Sequence, residues 1–117
     1  MGNRISISFI NGSEESVSFF SHWDGLELYD SAKEYIAKLR GHINKEIPNN
    51  GPLGRMEPCT VMVDFIRYYI RKQKLKCVES NYYLGKDDCD GDNSDNGHFY
   101  VDVSGKETKE TSIFGGV

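Results

Sequence analysis

The groups best able to do chemistry are concentrated in one stretch, Asp87-Asp88-Cys89-Asp90-Gly91-Asp92-Asn93-Ser94-Asp95-Asn96-Gly97, where five aspartates fall within nine residues. Carboxylates this close either stay in water because they repel, or gather round a cation that neutralises them. A calcium loop of the EF type needs oxygen ligands at positions 1, 3 and 5, glycine at 6 and a glutamate at 12. Counting from Asp92, the chain supplies Asp92, Ser94, Asn96 and Gly97, but Val103 stands where the last carboxylate belongs. Counting from Asp88, it supplies Asp88, Asp90 and Asp92, but Asn93 replaces the glycine. Both frames are partial. The same Asp, Asn and Gly residues also suit a solvated turn, because their side chains hydrogen-bond to the backbone and tolerate left-handed conformations.

Two histidines extend the metal reading. His22 ends one candidate strand and His98 begins another. If those strands pair antiparallel, the end of one lies beside the start of the other. His22 and His98 would then meet Asp88, Asp90 and Asp92, a nitrogen and oxygen set suited to Zn²⁺, whereas the carboxylates alone suit Ca²⁺. Cys89 would add a thiolate. Separately hydrogen-bonded histidines are the plainer expectation.

Cys59 opens a candidate helix, where the helix terminus favours a thiolate, but it adjoins an apolar stripe and reads rather as a small core residue. There is no phosphate-binding glycine loop, no GxSxG and no HExxH. The chain reads as a binder more than as an enzyme.

The elements that position these residues follow from periodicity. Residues 4–10 alternate, with Ile5, Ile7 and Phe9 on one face and Ser6 and Ser8 on the other. Asn11-Gly12 is a two-residue hairpin turn, and the return strand is predicted over 15–23, with Val17, Phe19 and Trp23 on one face and Phe20 and His22 on the other. Leu28, Ala32, Tyr35, Ile36, Leu39 and Ile43 recur at helical steps, with a start near Asp24 or Ser31. A loop follows around residues 48–54. A second helix is predicted from Glu57-Pro58, burying Val61, Met62, Phe65, Ile66, Tyr69 and Ile70 and exposing Arg67, Arg71 and Lys74. Further strands are predicted over 77–84 and 98–103.

The order ββααββ implies a two-layer α+β sandwich: a four-stranded antiparallel sheet with two helices on one face. Residues 1–104 form a single domain, and residues 105–117 read as a flexible tail. The uncovered sheet face would present Phe20, Tyr83 and Tyr100 among serines.

Composition bounds the function. At 117 residues the chain is one domain, and 38% hydrophobic content is enough for a packed core. A net charge of −4 argues against nucleic acid as the main partner. Residues 67–76 carry five positive charges and no negative one, while residues 77–102 carry seven acids against Lys86 alone. No run of apolar residues is long enough for a membrane span, and no secretory segment opens the chain. Three cysteines at unrelated spacings suggest a reducing, cytoplasmic setting. Met1-Gly2-Asn3-Arg4-Ile5-Ser6 has the form of a myristoylation signal at Gly2, but the same residues open a strand, which is the reading preferred here.

Met1-Gly2-Asn3-Arg4, Ser21-His22-Trp23-Asp24-Gly25 and Asp95-Asn96-Gly97-His98-Phe99-Tyr100 resemble a family of small uncharacterised proteins of archaea, bacteria and their mobile elements. The resemblance implies that the two glycine-containing patches recur, and it carries no activity. A mobile-element setting implies an inhibitor of a host protein. The expected function is therefore capture of another protein by the acidic loop and the open sheet face, through Phe20, Tyr83, Asp90, Asp92, Asp95 and Tyr100. The alternative is a Ca²⁺ or Zn²⁺ site at His22, Asp88, Asp90, Asp92 and His98.

Overall fold

The computed structural model describes residues 2–43, 46–47 and 51–105. The expected tail beyond Gly105 and residues 48–50 of the expected loop lie outside the described residues.

The fold is a two-layer α+β sandwich with both helices on one side of the sheet. The strands are β1 (Ile5–Asn11), β2 (Glu14–Glu15), β3 (Ser18–Ser21), β4 (Tyr82–Gly85) and β5 (His98–Asp102). The helices are α1 (Leu26–Arg40) and α2 (Pro58–Lys72). β1 is central. It pairs antiparallel with β2 and β3 on one side and parallel with β5 on the other, and β4 forms the edge beyond β3.

The predicted return strand is broken by a bulge. Asn11 pairs with Glu14 and Ile10 with Glu15, but Ile7 pairs with Phe19. Ser8 and Phe9 therefore face three residues, Ser16, Val17 and Ser18. Ser16 keeps the break satisfied: its N–H donates to the Phe9 carbonyl at 2.9 Å, and its hydroxyl accepts the Phe9 N–H at 2.9 Å. The extra residue changes the phase of the strand. Phe19 lands opposite Ile7 on the helix face, and Phe20 lands opposite Ser6 on the other. Val17 and Trp23, expected beside Phe19 in the core, are exposed instead. β4 is also shorter than predicted. Glu79 adopts positive φ, so the chain is still turning where an extended strand was expected.

The core is largely aromatic. Phe9 contacts Tyr35 and Phe65 edge-on at 6.3 and 5.4 Å. Phe19 contacts Phe65 and Tyr69 edge-on and stacks on Tyr82 at 5.6 Å. Tyr29 stacks on Phe99 at 4.4 Å. Ring pairs in these geometries add about 0.5–1.5 kcal/mol each beyond their buried area. The periodicity reading of the helices holds. Val61, Met62, Phe65 and Tyr69 are buried, and Ile66 and Ile70 pack partly buried against the core.

The sheet was expected to be antiparallel throughout, but β5 runs parallel to β1. β4 also runs parallel to β1, because each is antiparallel to β3. A tight turn cannot join two parallel strands on opposite edges. The connection 86–97 must instead cross the width of the sheet, about 14 Å at three strand spacings. It crosses on the face the helices leave bare, which gives that face a cover.

Candidate functional site

The acidic segment is thus a lid over the sheet. In a row beneath it, His98 lies beside Ser6, Ser6 beside Phe20 and Phe20 beside Tyr83. Phe20 and Tyr83 stack with centroids 4.9 Å apart and planes within 2°. Gly91 lies directly on this pair: a Cβ there would come within 2.6 Å of the Tyr83 ring and 2.8 Å of Phe20. The Tyr83 hydroxyl accepts the Asp92 N–H at 2.9 Å. Asn93, only 4% exposed, points inward and donates to the Ser6 hydroxyl at 2.8 Å and to the Asp88 carbonyl at 3.1 Å. Phe20 is fully buried, so it lies under the lid and offers no contact surface, while Tyr83 and Tyr100 are half-buried at its margins.

His98 is fully buried and engaged at both ring nitrogens, Nδ1 with the Ser6 hydroxyl at 2.7 Å and Nε2 with the Ser8 hydroxyl at 3.0 Å. The direction of each bond follows from the neighbours. Ser8 donates its proton to Glu15 Oε2 at 3.2 Å, so it must accept from His98, and Nε2 carries the hydrogen. Nδ1 is then the acceptor and Ser6 donates to it, while the Ser6 oxygen accepts from Asn93. The chain runs one way, Asn93 to Ser6 to His98 to Ser8 to Glu15, with the imidazole neutral. Burial pushes the His98 pKa down to about 4, against a smaller opposing pull from the Asp88 carboxylate.

The aspartates are divided between building the lid and facing outward. Asp90 accepts the backbone N–H groups of Lys86 and Asp87. Asp92 accepts the Ser94 N–H at 3.0 Å and pairs with Arg4 at 3.1 Å. The Ser94 amide, then Arg4, holds the Asp92 carboxyl below its ordinary pKa. Asp95 accepts the Arg4 N–H at 2.9 Å. Asp87 accepts the Cys89 N–H at 2.8 Å, and the Asp88 carboxylate accepts from the Cys89 thiol at 3.4 Å. That last bond raises the Cys89 pKa and keeps the thiol protonated. Arg4, just before β1, answers the acidic charge by pairing with Asp92 and Asp95. On the helices, Arg67 pairs with Asp64 at 2.8 Å, and Lys72 reaches across to Glu34 of α1 at 3.8 Å.

The five residues expected to share a metal do not form one group. β1 lies between β3 and β5, so the strands bearing the histidines are not neighbours as expected. His22 packs against Tyr83 at 5.2 Å, and both nitrogens of His98 are occupied by serines. Among the described residues, the only three or more candidate ligands within 4.8 Å of one another are Asp87, Asp88 and Cys89.

Trp23 was missed by alternation alone. It is 59% exposed, and Leu26 beside it is 50% exposed. The turn that presents them is rigid. Gly25 has φ 59° and packs on Asn3, whose side chain would lie 2.2 Å from an added Cβ. Asn3 N–H donates to the His22 carbonyl at 2.7 Å, and Gly25 N–H to the Asn3 carbonyl at 2.9 Å. One oxygen of Asp24 accepts both the Tyr69 and the Tyr82 hydroxyls at 2.5 Å. Burial, then these bonds, raises the pKa of both tyrosines. Trp23 lies two residues beyond the end of β3 at Ser21, in the turn, so strand alternation no longer places it.

Cys59 is exposed and, with Leu53, Thr60, Val63, Asp64 and Arg67, lines a shallow groove on α2. No histidine contributes to that lining. Among the described residues no helix is long and apolar enough to cross a membrane. Comparison with protein-family models, with curated proteins and with solved structures gives no match.

Proposed function

We propose that this chain is a protein-binding module whose contact surface joins the outer side of the acidic lid to the exposed Trp23 and Leu26. The observation that carries the reading is Trp23, 59% exposed on a turn whose backbone is held from both sides. Tryptophan is the residue most enriched among binding hot spots, and a rigid platform loses little entropy on docking. The lid begins one contact away, since His22 packs on Tyr83 and Tyr83 holds Asp92. Carboxylates at the rim steer a basic partner and raise its association rate. The resemblance to small mobile-element proteins favours an inhibitor of a host protein, and three free, exposed cysteines favour a reducing cytoplasm.

The test is capture of a partner from a lysate of the source organism. Asp90, Asp92 and Asp95 hold the lid together, so the informative reversals are Asp87→Lys with Asp88→Lys, alongside Trp23→Ala. Loss of a specific captured protein by both variants, with the circular dichroism spectrum unchanged, supports the reading. Unchanged capture sinks it.

The alternative metal reading falls on Asp87, Asp88 and Cys89, whose candidate ligand atoms cluster. Under it, Zn²⁺ added to metal-stripped protein shifts the amide resonances of those residues and leaves the His98 ring unmoved; no shift on adding Zn²⁺ or Ca²⁺ removes it.

A further inference from the structure

One flank of α2 carries an apolar row that the core covers only in part, since Ile66 and Ile70 touch it and Cys59 and Val63 stay exposed. Val61, Met62, Phe65 and Tyr69 face the core. Asp64 and Tyr68 face α1, where they bond Tyr35 at 2.7 Å and Glu34 at 2.7 Å. The flank turned away from α1 carries Cys59, Val63, Ile66 and Ile70. Cys59 is exposed, Val63 is 70% exposed, and Ile66 and Ile70 are half-buried. A single exposed valine needs no explanation. A row at steps of four, three and four residues is the spacing of a helix-pairing seam.

We infer that this row is a contact with a second copy of the chain, α2 packing antiparallel on its counterpart about a two-fold axis. The spacing is a palindrome. An antiparallel copy sets Val63 against the other copy's Ile66 and Cys59 against its Ile70, and a two-fold contact must be self-complementary in this way. Charge selects the same orientation. The N-terminal end of α2 lies near Glu14 and Glu57, which line one concavity with Arg55, and Arg55 pairs with Glu57. The C-terminal end carries Arg71, with Lys74 and Lys76 just beyond it, while Lys72 is engaged by Ser31 and Glu34 of α1. Antiparallel pairing brings the acidic end of each helix to the basic end of the other and opposes the two macrodipoles; parallel pairing would set like charge on like. The row shares no residue with the Trp23 and lid surface, so the two readings fail separately.

The test is the solution mass of the full chain by sedimentation equilibrium, from micromolar to millimolar concentration. The expected result is a concentration-dependent rise to twice the chain mass. Val63→Glu should weaken association at least about tenfold while leaving the melting temperature near that of the unaltered chain, because the side chain it replaces is exposed. In a Cys77→Ser, Cys89→Ser background, Ile70→Cys should give a disulfide-linked dimer joining position 59 of one copy to position 70 of the other. A monomer at every concentration overturns the inference. So does a dimer indifferent to Val63→Glu, or a cross-link joining only position 59 to position 59.

Discussion

The side-chain amide of Asn93 donates to the hydroxyl of Ser6 at 2.8 Å, joining the middle of the acidic lid to the central strand across 87 residues of sequence. The contact sits at the head of a buried chain in which every member has a partner: Ser6, His98, Ser8 and Glu15 follow in order. Such a chain is stable only while each link is complete, because a buried polar group without a partner costs more than the bond itself contributes. The lid is therefore anchored to the sheet through Asn93, while Asp90 and Asp92 brace its own backbone and Asp92 and Asp95 bind Arg4.

Removing that link should loosen the lid before it unfolds the protein. Asn93→Ala is expected to cost about 1–3 kcal/mol in urea denaturation. Amide exchange should accelerate across 86–97 while the α2 amides keep their protection. A uniform acceleration over the whole chain would mean the lid is not a separate opening unit.

Acid should destabilise the fold through His98. Its folded pKa is held at about 4, below the ordinary 6.5, so the unfolded chain takes up a proton that the folded chain refuses. Stability is then complete above pH 6.5 and falls as the pH drops toward 4, by about 3 kcal/mol at most. Asp64 and Asp92, whose pKa values are lowered, withdraw their contribution only at lower pH. His98→Gln cannot titrate, so denaturation curves for that variant should be flat between pH 6.5 and 4.5. A wild-type curve equally flat there contradicts the buried neutral imidazole.

Two glycines separate steric conflict from backbone strain. Gly12 has φ 63° with open space around its missing side chain, so Gly12→Ala should cost only the conformational penalty, about 1 kcal/mol. Gly25 combines φ 59° with a side chain 2.2 Å from an added Cβ, so Gly25→Ala should cost clearly more and disturb the Trp23 fluorescence. Equal costs by thermal denaturation would show that Asn3 moves aside freely.

Asp24 should be the most costly single polar residue to remove. Asp24→Ala leaves the hydroxyls of the buried Tyr69 and Tyr82 without their acceptor, at about 1–3 kcal/mol for each. Adding Tyr69→Phe and Tyr82→Phe to Asp24→Ala removes the orphaned hydroxyls and should restore part of that loss. A triple variant no more stable than Asp24→Ala would locate the cost elsewhere in the turn.

Much of the molecule was legible in local pattern. Period-two alternation of Ile5, Ile7 and Phe9 marks β1 and its buried face, and Pro58 with its following apolar steps marks α2, because both signals are carried by residues close in sequence. The two-layer architecture and a hairpin after β1 follow in the same way, although the turn falls at Gly12-Ser13, one residue later than expected, because Asn11 pairs with Glu14. The direction of β5 does not, since alternation is identical for parallel and antiparallel pairing. That one choice turned the acidic segment from a hairpin loop into a crossing lid, buried Phe20, and engaged both nitrogens of His98. The bulge at Ser16 and Val17 likewise depends on which residues face β1, and it moved Val17 from the expected core to the surface, while Trp23 is exposed because β3 ends at Ser21. Sequence determined the elements and their apolar faces; tertiary pairing decided which polar residues are buried, because partners 87 to 92 residues apart leave no local trace.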